Sequence, residues 1–166
     1  MDKIIAIPIF IFLYILQTSV FGRITLVHGV ADVILLTLIA WGLNKKVESA
    51  SVWALIAGSI VSFASALPYM IPLFSFLVIT FITKYLQRRV WQMPMLAMVV
   101  STIIGTVIYY VLSIIGLKII GSRVSWIEGL TLVMLPSIIL NIVVSLPVFL
   151  IVNDLAELIY KDKVVE

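Results

Sequence analysis

Long apolar runs alternate with short polar segments along the whole chain, and this alternation predicts membrane-spanning helices. A helix crosses a hydrocarbon core of about 30 Å with roughly 20 apolar residues. The chain contains six runs that approach this length. We therefore predict six transmembrane helices, at about residues 4-21, 27-43, 51-67, 71-86, 91-120 and 130-152, and a short charged tail at 153-166.

Two of these runs have an unusual length. The second has Trp41, a residue typical of the membrane interface, near its end, and it is long enough to cross only if residues 27–29 belong to it. The fifth run would form a continuous helix of about 45 Å, because each residue adds ~1.5 Å. We expect this helix either to tilt strongly or to break near Gly116.

Composition supports the same class. The chain is 63% hydrophobic and only 11% charged, whereas about a quarter of a soluble domain is charged, and its mean hydropathy is +1.27. We therefore predict an all-α polytopic membrane protein that forms one compact bundle. The absence of cysteine excludes disulfides and thiolate chemistry, and a single histidine excludes a multi-histidine metal site within one chain.

The distribution of positive charge predicts the orientation. Six spans place both termini on one side, and that side has eight Lys or Arg residues: Lys3, Lys45, Lys46, Lys84, Arg88, Arg89, Lys161 and Lys163. The opposite side has three: Arg23, Lys118 and Arg123. The positive-inside rule then predicts cytoplasmic termini, with the basic end of the fourth span at anionic headgroups. The basic stretches are too short for a nucleic-acid surface.

The last run carries three polar residues on one helix face. Ser137, Asn141 and Ser145 are spaced by four, and an amide in hydrocarbon is unfavourable without a partner. The face therefore predicts either hydrogen bonds between helices or a polar substrate pocket. Pro136 is expected in the first turn of this helix, whereas Pro147 lies inside it and predicts a kink.

Two stripes of small residues have the same spacing, which allows two helix backbones to approach closely in a membrane. Either stripe is compatible with packing inside the chain or with docking of a partner helix. The first stripe continues to Ala66, and the candidate residues of the two stripes are Ala54, Gly58, Ser62, Ala97, Ser101 and Gly105.

The first outer loop contains Arg23, His28 and Asp32. Together they are candidates for binding an anion or a carboxylate of a partner, or they are solvated loop residues. Asp32 alone is a candidate proton or cation site, or a residue at headgroup level that caps the second helix. The chain lacks a nucleophile elbow, a phosphate-binding loop and metal-ligand spacing, so we expect no enzymatic activity and no cofactor.

Two segments carry a resemblance to a known family. Residues 16–43, LQTSVFGRITLVHGVADVILLTLIAWGL, and residues 135–152, LPSIILNIVVSLPVFLIV, resemble the bacterial rod shape-determining protein MreD family. The chain departs from the family pattern at Ala31, where Pro often precedes the Asp, and at 58–67, where many relatives have an intramembrane Asp.

The resemblance implies a non-enzymatic subunit of the cell-elongation machinery in the bacterial inner membrane. The implied partner is MreC, a bitopic membrane protein, and the wider complex includes RodA, a class B penicillin-binding protein and MreB. The family is also thought to look like the substrate-binding subunits of energy-coupling-factor transporters. A vitamin-binding transporter subunit is therefore the alternative, with the last helix and the outer loops lining the pocket.

Overall fold

The computed structural model describes residues 2–89 and 93–160, with side chains from residue 5 onward. Apart from one small hairpin, the regular secondary structure of this part of the chain is helical, which confirms the predicted all-α class and its compact packing. The six helices are α1 Asp2–Ser19, α2 Val33–Leu43, α3 Ala50–Ala64, α4 Met70–Arg89, α5 Pro94–Ile119 and α6 Trp126–Ile159. The predicted tail residues 161–166 and the predicted span residues 91 and 92 lie outside the described residues.

Four of the described helical segments are long and apolar enough to cross a membrane: Ile5–Arg23, Met70–Arg89, Pro94–Ile119 and Trp126–Ile159. They indicate a multi-pass membrane protein. The helices α2 and α3 are apolar but shorter, with 11 and 15 residues. All six helices form one bundle in which α2 contacts each of the other five.

The bundle has two distinct ends. The hairpin end gathers the connections 20–32, 65–69 and 120–125, and the loop end gathers the connection 44–49 and the C-termini of α4 and α6. The direction of α1 and α3 follows from the hydroxyl of Tyr14, which donates to the carbonyl of Ala64 at 3.0 Å. At the loop end, Asn44 donates to Asn153 at 3.0 Å, so the end of α2 lies beside the last turns of α6.

The helix α2 is the centre of the molecule. All of its 11 residues are buried, and at ~1.5 Å per residue it is only about 16 Å long. Because protein surrounds α2, it needs no length matched to lipid. Trp41, expected at the membrane interface, is instead fully buried and stacks on Trp53 with ring centroids 4.0 Å apart.

A β-hairpin precedes α2 where the sequence predicts a helix from residue 27. Thr25–Leu26 and Gly29–Val30 form its two antiparallel strands. The turn requires a positive φ of 57° at Val27, a conformation that β-branched residues rarely adopt. Gly29 permits close contact with α6, since a Cβ there would lie 2.5 Å from the backbone nitrogen of Ser137.

Pro136 explains why the hairpin docks at this point. A proline lacks the N–H that would reach the carbonyl four residues earlier, here that of Leu132. The preceding residues Gly129–Met134 are π-helical, and the Leu132 carbonyl accepts the backbone N–H of His28 at 3.3 Å. Pro136 lies in the first turn of the α-helical stretch Leu135–Ile159, as predicted, although helical turns from Trp126 precede that stretch.

The helix α5 is continuous through Gly116, so the expected break is absent. Its 26 residues span about 39 Å. Gly116 instead allows close packing on α4, because a Cβ at this position would lie 2.6 Å from the side chain of Ile71. The strong tilt predicted as the alternative stays a prediction.

Candidate functional site

Asn141 is the centre of a buried polar cluster where α2, α5 and α6 meet. Its side chain is completely buried. Its Oδ1 accepts the backbone N–H of Asp32 at 2.7 Å, and its Nδ2 donates to Thr106 Oγ1 at 3.0 Å. Both polar atoms of the amide therefore have partners, and one side chain joins three helices.

Asp32 is the N-cap of α2. Its Oδ1 accepts the backbone N–H of Leu35 at 3.0 Å, and Gln17 on α1 accepts the backbone N–H of Ile34 at 3.2 Å. The first N–H groups of a helix have no acceptor within the helix, so these two side chains satisfy donors that would otherwise be unpaired inside the protein. Asp32 is only 8% exposed, so its capping takes place inside the bundle and not at a solvated headgroup layer.

The other two polar residues of α6 have different partners. Ser137 Oγ accepts the backbone N–H of Val30 at 3.1 Å and lies 2.8 Å from the hydroxyl of Tyr110. It therefore attaches the second hairpin strand to α5 and α6. Ser145 donates to the carbonyl of Ile142 in its own helix at 2.7 Å and, within the described part of the chain, makes no hydrogen bond to another helix.

This arrangement is suited to holding helices together. A hydrogen bond between membrane helices contributes on average about 0.6 kcal/mol, and a buried backbone N–H without an acceptor is considerably more unfavourable. Among the described residues, no group of three or more His, Cys, Asp or Glu side chains is arranged to hold a metal ion. The cluster thus determines where α2 begins and how the hairpin docks on α6.

Both small-residue stripes face helices of the same chain. A Cβ at Gly58 would lie 2.8 Å from the Cα of Leu73, so α3 and α4 are in backbone contact. A Cβ at Gly105 would lie 2.9 Å from Ile39 and 3.2 Å from Ile79, on α2 and α4. The remaining candidates of the two stripes are buried as well: Ala54, Ser62, Ala97 and Ser101.

The three outer-loop candidates are not brought together into one site. The side chains of Arg23 and His28 are exposed at the hairpin end, whereas Asp32 is buried beneath it. The contact of His28 with α6 is made by its backbone N–H. Sequence reasoning missed Gln17, Thr106 and Tyr110 as members of the cluster, and the only available signal was their polar character within apolar runs.

A second group of polar contacts caps the C-terminus of α2, at the loop end of the bundle. Lys84 Nζ donates to the carbonyls of Val47 at 2.5 Å and Asn44 at 3.5 Å, and Gln87 Nε2 donates to the carbonyl of Leu43 at 3.0 Å. A cation near the C-terminal carbonyls of a helix is favourable. Lys84, expected at lipid headgroups, therefore caps the end of α2.

No protein-family model, curated protein or solved structure matches the chain.

Proposed function

We propose that the protein is a non-enzymatic scaffold of the bacterial cell-elongation machinery, which binds an MreC-like bitopic protein and helps to organise peptidoglycan synthesis. One observation carries the proposal. The two segments that resemble the MreD family, residues 16–43 and 135–152, are far apart in sequence but bind each other through Asn141 and Asp32. The resembling residues therefore form a hydrogen-bonded contact that holds α2 against α6, the polar joint, as expected of a scaffold.

The fold limits where a partner helix can bind. Both small-residue stripes pack against helices of this chain, so they offer no surface on which a partner helix could dock. The proposed site is instead a groove of about 350 Å³ between α1 and α3, lined by Ile7, Leu55, Ile56, Ser59, Ile60 and Phe63. Its apolar wall with one small residue is compatible with the membrane segment of a bitopic protein.

The proposal includes an orientation. The loop end contains Lys45, Lys46, Arg88 and Arg89, so under the positive-inside rule it faces the cytoplasm of a bacterial inner membrane. The hairpin end, with Arg23 and His28, then faces the outside. RodA, a class B penicillin-binding protein and MreB remain further partners implied by the resemblance.

Co-purification from native membranes in mild detergent tests the proposal. We expect the parent chain to bring an MreC-like protein with it. Ser59→Trp fills the groove and should abolish this recovery, whereas Val143→Trp, on an exposed face of α6, should preserve it. Recovery of the parent without such a partner would refute the function, and normal recovery with Ser59→Trp would refute only the groove.

The alternative is a solute-binding subunit of an energy-coupling-factor transporter. It is favoured by the hydroxyls of Ser101 and Thr102, which are buried about one helical turn from Thr106 and have no hydrogen-bond partner among the residues that the structure describes. Such groups are the kind that a polar solute would satisfy. Titration of the purified chain with candidate vitamins separates the two functions, because saturable binding supports the transporter subunit and a flat titration removes it.

A further inference from the structure

A cavity at the loop end is not explained by the scaffold function. It has a volume of about 270 Å³ and lies between the C-terminal parts of α2, α4 and α6 and the beginning of α5. Binding sites for whole small molecules usually have volumes of about 300–1,000 Å³. A cavity just below this range suits one end of a larger, elongated molecule.

One wall of the cavity is apolar. It is formed by Leu43, Pro94, Ala97 and Phe149, which come from three different helices. Leu43, Ala97 and Phe149 expose only a small part of their surface, and Pro94 is the exposed member of this wall. A hydrocarbon chain lying against the wall gains van der Waals contacts, the interaction that holds apolar groups together inside a membrane.

The opposite wall is polar, and its amides are fixed in place. Asn44 donates to Asn153 Oδ1 at 3.0 Å, which leaves the amide N–H groups of Asn153 as donors. The side chain of Gln87 is held by its bond to the carbonyl of Leu43 at 3.0 Å. These amides are therefore part of the bundle structure and do not need to become ordered when a ligand binds.

The charge of the lining is positive. Lys45 and Lys46 line the cavity, and each of them also interacts with another group of the protein. No acidic side chain is among the described lining residues of the cavity. Lys46 lies 3.8 Å from Glu157, but both side chains are substantially exposed, so this ion pair is weak and easily exchanged for another anion. Basic pockets between membrane helices are suited to acidic lipid headgroups.

We propose that this cavity binds an anionic phospholipid. The phosphate is held by Lys45, Lys46 and the neighbouring amides, and the first part of an acyl chain lies along Ala97 and Phe149. The proposal depends on the membrane location of the chain and is independent of the scaffold function.

Native mass spectrometry of the full chain tests the proposal. The protein is reconstituted with equal amounts of phosphatidylglycerol and phosphatidylcholine and then released into mild detergent. We expect one retained phosphatidylglycerol per chain in preference to phosphatidylcholine. A lysine near acidic lipid contributes about 1 kcal/mol, so each lysine removed in K45Q/K46Q should weaken retention roughly fivefold.

The matched control is R88Q/R89Q. It removes the same charge from the same end of the molecule, but neither arginine lines the cavity. Retention in this variant should stay within about twofold of the parent, since surface charge alone is screened. Equal losses in the two double variants, or retention without preference for phosphatidylglycerol, would overturn the proposal.

A second variant tests the apolar wall separately. Ala97→Leu places a larger side chain in the cavity and should reduce lipid retention without removing charge. Its thermal stability is measured alongside. If Ala97→Leu does not fold, the lysine pair and its arginine control still decide the question; if it folds and retains the lipid as well as the parent does, the proposed position of the acyl chain is wrong.

Discussion

Replacement of Asn141 by leucine tests the polar joint between α2 and α6 most directly. Leucine has a similar size but neither accepts the N–H of Asp32 nor donates to Thr106. Thr106 keeps a partner, because its hydroxyl also donates to the carbonyl of Thr102 at 2.7 Å. The N–H of Asp32 is left without its acceptor inside the protein.

The expected magnitude follows from these two losses. A buried donor without an acceptor costs about 1–3 kcal/mol, and a lost hydrogen bond between membrane helices costs about 0.6 kcal/mol. We expect Asn141→Leu to lower the free energy of unfolding by about 2 kcal/mol, which corresponds to a roughly 30-fold change in the unfolding equilibrium.

The matched control is Asn153→Leu in the same helix. This change also removes an amide that pairs with α2, but the lost partner is the half-buried side chain of Asn44 and not a backbone N–H. We expect a loss of less than about 1 kcal/mol. Reversible unfolding in mixed detergent micelles, followed by tryptophan fluorescence, measures both variants. Equal stability of the parent and Asn141→Leu would refute the reasoning.

Chemical labelling gives an independent readout of the same joint. A diazirine carried on an acyl chain inserts into neighbouring bonds on irradiation and labels lipid-facing residues without any substitution. It should label Val143, which is 67% exposed on the outer face of α6, and it should not label Asn141, which is completely buried. Reaction at position 141 would show that this face of α6 meets lipid.

Three further predictions concern stability and are measured by thermal denaturation in detergent. Gly58→Leu should lower the free energy of unfolding by about 1–3 kcal/mol or more, because it forces α3 away from α4. The control is Ser59→Leu at the half-buried neighbouring position, which should change this free energy by less than about 0.5 kcal/mol. Equal effects of the two substitutions would refute the close contact. Asp32→Ala should lower the free energy of unfolding by about 0.5–2 kcal/mol, because the helix cap is lost. Asp32→Asn keeps a capping oxygen and should be about as stable as the parent. A large loss of stability in the Asn variant would show that the charge matters beyond capping. Val27→Gly should stabilise by up to about 1 kcal/mol, because it relieves the positive φ at an exposed position, and a marked loss would contradict a strained turn.

The sequence predicted the helical class and the approximate positions of most helices, because long apolar runs between charged segments have few other solutions. It failed for residues 27–32, which were predicted as the beginning of the second helix and precede α2 in the structure. The apolar residues of the hairpin continue the hydrophobic pattern of α2, so hydropathy does not distinguish them from a helix. Two contacts distinguish the hairpin from a helix: Gly29 packs against Ser137, and the Leu132 carbonyl, left free by Pro136, accepts the N–H of His28. Both contacts join residues more than 100 positions apart in sequence.

The polar cluster was predictable in part. The spacing of Ser137 and Asn141 indicated a face that needs partners, but the sequence did not identify them. That Asn141 accepts a backbone N–H cannot be inferred from the sequence, because a residue of any type except proline can supply that N–H. The small stripes left two interpretations open, and the choice between them depends on packing geometry, as the contact of Gly58 with α4 illustrates.

The joint between Asp32 and Asn141 has a consequence for biosynthesis. The two residues are 109 positions apart, and the same separation divides Asn44 from Asn153. A helix of about 16 Å is not stably held across a bilayer by lipid alone, and contacts of high sequence separation form late. The central helix therefore reaches its final position only after the last one has been synthesised, and a chain that stops before α6 should insert without ever completing its core.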